Sequence, residues 1–481
     1  MKLRGSVVVL VFLCAAFAFA QGDEPAAKKA KQQLPKKTKK SPKLKYAIVV
    51  ANRFFAGKGG EKDKWAKVVD ELKKKYSARV FKYDGELRSN ETLKKDLAEY
   101  RPYYVCFVEK PENCGKRFVK GAIVLMHSLD DDPYDDAVWA ILTGYDANDA
   151  MKIVKAKPLK VKRHLSHVSS GMLNWFESGV SFNEARQFEK WIKKKGKNPE
   201  KVKGPADTTE QWVREANKGK VDIITSSGHA TERNWAMGYT YKSGKIVPAG
   251  EGKLVGVSSE NKGYAITKKN PKIYFSIGNC LIAHIPPKLK DCMCLSWIHS
   301  GAYQFFGHIE VQYRSCTAWG ICNYFFGLQD QFTFAQAVHA NRIAAQYIMD
   351  NHTKGFRKNY KKEYWKRCLH VTVLYGDPAW QAKMKRTTEP LYETDLKVAD
   401  AKDGRKKITM TVEFKRKHAF RVTALGLPCA LLPYTISDWK VEKSDAVKTV
   451  IGDNFILLDT IGKEYDKGDK AVAVINCKID D

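Results

Sequence analysis

Hydrophobic and polar positions first organise the chain at residue 46. There Tyr46-Ala47-Ile48-Val49-Val50 forms a short apolar run that ends at Ala51-Asn52. An unbroken run of this length, closed by polar residues, predicts a strand buried on both faces. Trp65, Val68, Val69 and Leu72 follow at helical spacing within 64–76, which predicts an amphipathic helix. The alternation then continues, with a strand at 79–83, a helix at 93–100 and a buried strand at 103–108. After a polar stretch come a strand at 165–170, helices at 182–194 and 210–217, and strands at 221–225, 272–277 and 302–306. An apolar-faced helix at 334–349 and a strand at 370–375 close this part. Strands alternating with helices predict an α/β fold with a mainly parallel sheet.

Beyond about residue 386 the period changes. Ile408, Met410, Val412 and Phe414 alternate with polar neighbours, 455–458 and 471–475 read as further strands, and no helical pattern remains. A small antiparallel β-sandwich fits. No repeat of solenoid period is present.

Composition adds compartment and charge. The chain has 481 residues, 44% hydrophobic and 28% charged, which excludes wholesale disorder. Residues 1–20 read as a secretory signal: Lys2 and Arg4, an apolar core from Val7 to Phe12, and the small-x-small site Ala18-Phe19-Ala20 before Gln21. The apolar run is too short to span a membrane, and no other stretch reaches ~18 apolar residues, so no anchor is expected after processing. Cys14 lacks the preceding small residues of a lipoprotein signal. Residues 21–45 hold nine lysines with Pro25, Pro35 and Pro42, a basic tether too polar to pack. Export predicts paired cysteines. Cys106 with Cys114, Cys316 with Cys322, and Cys429 with Cys477 are feasible bridges, their connectivity left open.

The net charge is +31, from 84 Lys+Arg against 53 Asp+Glu. Such a chain is biased toward anionic polymers. No phosphate loop, zinc-finger spacing or RNA-binding aromatic signature accompanies the charge, so no specific nucleic acid is expected.

Candidate chemistry lies at two strand ends. The 221–225 strand runs into Ser226-Ser227-Gly228-His229-Ala230-Thr231-Glu232, and the 272–277 strand runs into Gly278-Asn279-Cys280. Ligand sites of open parallel sheets lie outside the carboxyl ends of the strands. A cysteine and a histidine delivered there supply a nucleophile and its base. Backbone N–H groups of Ala230 and Cys280 are positioned to hold a developing oxyanion. Gly228 and Gly278 give the two turns conformational room.

On these residues the chain resembles the gingipain-type cysteine peptidases of the caspase-like group, over about residues 44–385. Gly228-His229-Ala230-Thr231-Glu232-Arg233-Asn234-Trp235 is similar to the family's Gly-His-Gly-Ser-Glu-x-x-Trp signature, with Ala230 where the family has glycine. Residues 272–280 match the strand bearing its nucleophile. Leu374-Tyr375-Gly376-Asp377-Pro378-Ala379 is similar to its Gly-Asp-Pro element. Asp132-Pro133-Tyr134-Asp135-Asp136-Ala137 with Ile141-Leu142-Thr143-Gly144 resembles the end of its first half-domain. The resemblance implies Cys280 as nucleophile and His229 as partner, secretion, and bound calcium in many members. It also implies a caspase/gingipain-like domain of two α/β halves, 45–160 and 161–385, behind the signal (1–20) and linker (21–44). An immunoglobulin-like β-sandwich would occupy 386–481. The expected function is a secreted cysteine endopeptidase acting on protein or peptide substrates without a cofactor for its chemistry. The alternative is a catalytically silent relative that binds extracellular polymers.

Three further signals stay open. Asp130 to Asp132 with Asp135 and Asp136 form a dense carboxylate cluster, read as structural calcium at Asp131, Asp132 and Asp135, as a specificity pocket for a basic side chain, or as a solvated loop. Asp135, Asp136 and Glu232 are also the candidates for a third residue orienting His229. His284, Cys292, Cys294 and His299 offer a zinc reading, against which stand the Cys-x-Cys spacing and the Ile285-Pro286-Pro287 interruption. Trp297, Tyr303, Phe305, Phe306 and Trp319 line either a cleft or the core.

Overall fold

The computed structural model describes residues 44–55, 61–169, 172–287, 289–311, 318–352, 368–419 and 426–480. The export signal, residues 21–43 of the tether, Cys14 and Cys316 lie outside the described residues. Among the described residues no helix is long and apolar enough to cross a membrane.

Twelve strands build one large sheet: β1 (Tyr46–Ala51), β2 (Arg79–Tyr83), β3 (Tyr104–Val108), β4 (Val138–Leu142), β5 (Arg163–His167), β6 (Ser178–Phe182), β7 (Glu189–Lys193), β8 (Glu200–Lys203), β9 (Ile223–Ser226), β10 (Lys272–Ser276), β11 (Ala302–His308) and β12 (Thr372–Gly376). Their spatial order is β2-β1-β3-β4-β12-β11-β10-β9-β5-β6-β7-β8. Neighbours from β2 to β12 run parallel, and so do those from β11 to β6. The two blocks meet at the antiparallel β11–β12 pair. Every residue of β1, β3, β4, β10 and β12 is buried, which is why their apolar runs are continuous rather than alternating. Helices Glu61–Tyr76, Glu91–Tyr100, Lys116–Met126 and Phe334–Asn351 flank the sheet.

One expected element is wrong. The 182–194 segment is not a helix: β6 ends at Phe182 and β7 begins at Glu189. The Asn183 side chain accepts from the N–H groups of Ala185 (2.9 Å) and Arg186 (3.0 Å), a turn that competes with helix initiation. The lysine-rich segment then pairs antiparallel with β6 on one side and β8 on the other, and tertiary pairing overrides its helical propensity.

Between β9 and β10 lies an antiparallel five-stranded sheet that the pattern did not announce: Ala230–Thr231, Asn234–Ala236, Lys245–Pro248, Leu254–Val257 and Gly263–Ile266. The C-terminal part is antiparallel, as expected. Tyr392–Asp400, Lys406–Phe414, Lys470–Asp480 and Thr435–Ser444 form one sheet, and Cys429–Leu431, Phe455–Asp459 and Lys448–Ile451 form another. Ile408, Met410, Val412 and Phe414 all point into the core. These sheets pack on the α/β part through a Tyr134–Phe455 edge contact and through Asp459, which accepts from Tyr347 Oη at 2.8 Å and contacts His352 Nε2 at 2.7 Å.

Two of the feasible bridges, Cys106–Cys114 and Cys429–Cys477, are not formed, and the Cys316 end of the third lies outside the described residues. Cys106, Cys114, Cys322, Cys429 and Cys477 are unbridged and buried. Cys106 sits inside β3, and Cys114 Sγ faces the Glu109 carbonyl. Cys429 and Cys477 belong to different sheets. Local sequence proximity did not bring the thiols into bonding geometry.

Candidate active site

β9 and β10 are adjacent and parallel, with Ser226 in register with Ser276. His229 and Cys280 therefore leave the sheet side by side at one edge. The strand order also reverses at the β9–β5 pair, since the chain leaves β5 toward β6 and returns at β9 on the other side.

The two turns are tied together by Asn279. Its Oδ1 accepts from Ser226 Oγ at 2.6 Å and from Ser276 Oγ at 3.0 Å, and its Nδ2 donates to the Gly228 carbonyl at 3.1 Å. Tyr274 Oη donates to Ser226 Oγ at 2.8 Å. Asn279, Ser226 and Ser276 are all fully buried, so these bonds lie where each is most costly to lose. One carboxamide thus joins the residue before His229 to the residue before Cys280.

Each turn has unusual backbone. Gly228 has φ +91° and Leu281, directly after Cys280, has φ +56°. A leucine in the left-handed region is strained, and such strain gathers at functional turns. At Gly228 a Cβ would also meet Glu184 Oε2 at 3.0 Å. Gly278, by contrast, does not use positive φ.

The signature around His229 has a structural explanation. Trp235 is fully buried, and its indole N–H donates to the Ser227 carbonyl at 2.8 Å, closing the loop beneath His229. Ala236 N–H donates to the His229 carbonyl at 2.9 Å. Ala230 pairs with Trp235 one step further along this antiparallel pair. Hydrogen-bonded and non-bonded pairs alternate there, so the Ala230 N–H turns away from its partner strand.

His229 is exposed and Cys280 is half-buried. Among the described cysteines Cys280 is the one that is not buried. Burial pushes the thiols of Cys106, Cys114, Cys292, Cys294, Cys322 and Cys429 up, which suppresses their thiolates. His308, at the end of β11, is buried, and burial pushes its imidazole down to about 4, which makes it a weak base.

The acidic candidates stand elsewhere. Asp135 is buried in an ion-pair network with His127 Nδ1 (3.2 Å) and Arg342 Nη1 (3.2 Å), and accepts from Trp139 Nε1 at 2.9 Å. His127 and Arg342 hold its carboxyl below the usual range against the opposing cost of burial. Glu232 contributes its backbone carbonyl to Met293 N–H at 2.8 Å, and its carboxylate lies 3.8 Å from Arg233. Neither they nor Asp136 forms an ion pair or hydrogen bond with the His229 ring. Asp131 and Asp132 are not in the grouped carboxylates. Instead Asp130, Asp136 and Asp453 bring oxygens within 4.8 Å of one another. Burial and the neighbouring carboxylates push Asp136 up to about 10 and Asp453 to about 7. Oxygen donors crowded in this way suit a hard cation such as calcium, at a different set of residues from the one expected.

Sequence reasoning missed Glu184. It follows β6, is buried, and has an Oε2 atom without a hydrogen-bond partner. Burial pushes its carboxyl up to about 7. Nothing local marks it, since its position under Gly228 depends on the pairing of β5, β6 and β9. The Gly-Asp-Pro element proves structural: buried Asp377 accepts from Tyr46 Oη (3.0 Å), Tyr76 Oη (2.6 Å) and Lys75 Nζ (3.2 Å). Trp297, Phe305 and Phe306 are core residues, while Tyr303 and Trp319 are half-buried. No group of His and Cys ligands at metal-binding distance occurs among the described residues.

No protein-family model matches the chain. No curated protein matches it either. A solved structure described as "Structure of Protease" is similar with a TM-score of 0.42 and 11% identity, over 91% of this chain and 97% of that one. A likeness this loose carries no weight for fold or function.

Proposed function

We propose that the protein is an exported cysteine-type endopeptidase acting through Cys280 and His229. The observation that carries this reading is the Asn279 clasp, which ties the two turns while Cys280 alone among the described cysteines is accessible. In the proposed reaction His229 takes the Cys280 proton, and the thiolate attacks the peptide carbonyl. The resulting oxyanion is held by the N–H groups of Ala230 and Cys280. His229 then protonates the leaving amine as the C–N bond breaks, leaving a thioester. Water attacks the thioester, His229 accepts its proton, and the acid leaves as the thiol is restored.

Around this chemistry we place an immunoglobulin-like module in the C-terminal sheets, structural calcium at Asp130, Asp136 and Asp453, and attraction of anionic polymers by the basic surface. The test is hydrolysis of mixed peptides by the reduced, folded protein. Cys280→Ala is expected to lower turnover by at least about a thousandfold. Turnover that survives in Cys280→Ala would sink the assignment, and no turnover by the folded wild type would favour a silent, polymer-binding relative.

A further inference from the structure

Among the described residues His229 has no acidic partner, yet its ring is in contact with a neighbour. It lies against Tyr239, with ring centroids 5.0 Å apart and planes inclined by 30°. Among the described residues Tyr239 is the one aromatic, ionic or hydrogen-bonding partner of that ring. Tyr239 is 42% exposed, an aromatic held at the surface rather than in the core.

The loop presenting it is pinned to the turn after β6. Tyr239 N–H donates to the Glu184 carbonyl at 2.6 Å, Thr240 Oγ1 to the Ala185 carbonyl at 2.6 Å, and Tyr241 Oη to the Asn183 carbonyl at 2.7 Å. Gly238, just before it, has φ +87°, and a Cβ there would come within 2.6 Å of the Tyr241 carbonyl oxygen. The turn that projects Tyr239 therefore requires glycine. With the His229 backbone tied by Ala236, both rings are anchored independently.

We propose that Tyr239 is a positioning residue of the pair, holding the His229 imidazole in one orientation and stabilising its protonated form through the ring face. The proposal rests on the peptidase reading of Cys280 and His229. An aromatic face attracts a cation, and the imidazolium is the state that accompanies the thiolate. The aromatic ring would thus do the orienting that a carboxylate does in Ser-His-Asp sites. The described titratable groups on the turns around His229, besides Tyr239, are these. Glu184 lies under Gly228 from the turn after β6, Glu232 and Arg233 sit on the same hairpin and face each other, and Cys280 comes from the turn after β10.

The test compares Tyr239→Leu and Tyr239→Phe in the full-length protein. The titration midpoint of His229 is followed by NMR with labelled histidine, and Cys280 alkylation by iodoacetamide is followed against pH. Losing the ring is expected to lower the midpoint by about half a pH unit and slow alkylation near neutral pH roughly two- to fivefold. Tyr239→Phe keeps the ring and should match the wild type in both. For peptides, kcat should fall in Tyr239→Leu with KM nearly unchanged. A lowered midpoint supports the proposal whether or not peptides are cleaved, whereas absent turnover in the wild type counts against the peptidase reading alone. An unchanged midpoint and alkylation profile in Tyr239→Leu overturns the proposal, and so does a Tyr239→Phe variant that behaves like Tyr239→Leu.

Discussion

Asn279 fills no chemical role that its type would advertise, yet it is the residue on which the site's geometry depends. Its carboxamide meets Ser226, Ser276 and the Gly228 carbonyl in a fully buried position. Replacing it by alanine removes the acceptor of two serine hydroxyls and the donor to one carbonyl. Asn279→Ala should lose about 1–3 kcal/mol of stability, read from urea unfolding, together with at least a tenfold drop in kcat. A variant with full activity would mean that the turns hold their spacing without the clasp. His229 and Cys280 could be nominated from the sequence because each nomination needs only a strand end and a residue type. Asn279, Glu184 and Tyr239 could not, because their roles come from which strands lie side by side. Asp135 shows the reverse error, since its acidic type suggested ligand chemistry while its surroundings, Arg342 and His127, make it a buried counter-ion.

Elements divide in the same way. β1 and β3 were readable, because doubly buried strands are continuous apolar runs. The helix Phe334–Asn351 was readable to its start. Thr333 and Gln336 form a reciprocal capping box, with bonds of 3.2 Å and 3.0 Å. Thr333→Ala should cost about 1 kcal/mol of stability with little change in activity, checked by thermal unfolding beside peptide turnover. The β7–β8 hairpin was misread because its lysine-rich segment satisfies helix propensity, and only the Asn183 turn and the pairing with β6 decide against it. The antiparallel join between β11 and β12 leaves no local trace, since parallel and antiparallel neighbours in a buried sheet share one composition.

At the scale of the molecule the C-terminal sheets meet the α/β part at a seam where Asp136 and Asp453, from opposite sides, join Asp130. Asp136 is raised from its ordinary value to about 10 in the folded chain. The folded state therefore prefers the protonated acid, so this contribution is full below about pH 4 and is lost as pH climbs toward 10. Asp136→Asn should accordingly raise stability at pH 8 in chelator by roughly 1–3 kcal/mol, measured by chemical unfolding. Added calcium should stabilise the wild type more than the variant, and equal stability of both proteins in chelator would contradict the crowding. The same seam ties Asp459 to Tyr347 and His352. The net charge of +31 selects none of these features; it biases what approaches the surface.

The proposed chemistry needs one reactive thiol, and labelling locates it. The reduced protein would be treated near neutral pH with a peptidyl acyloxymethyl ketone, and its adducts mapped by mass spectrometry. A single adduct on Cys280, lost in His229→Ala while circular dichroism stays unchanged, is the predicted result. Labelling of the buried cysteines instead, or equal labelling of Cys280 with and without His229, would contradict it.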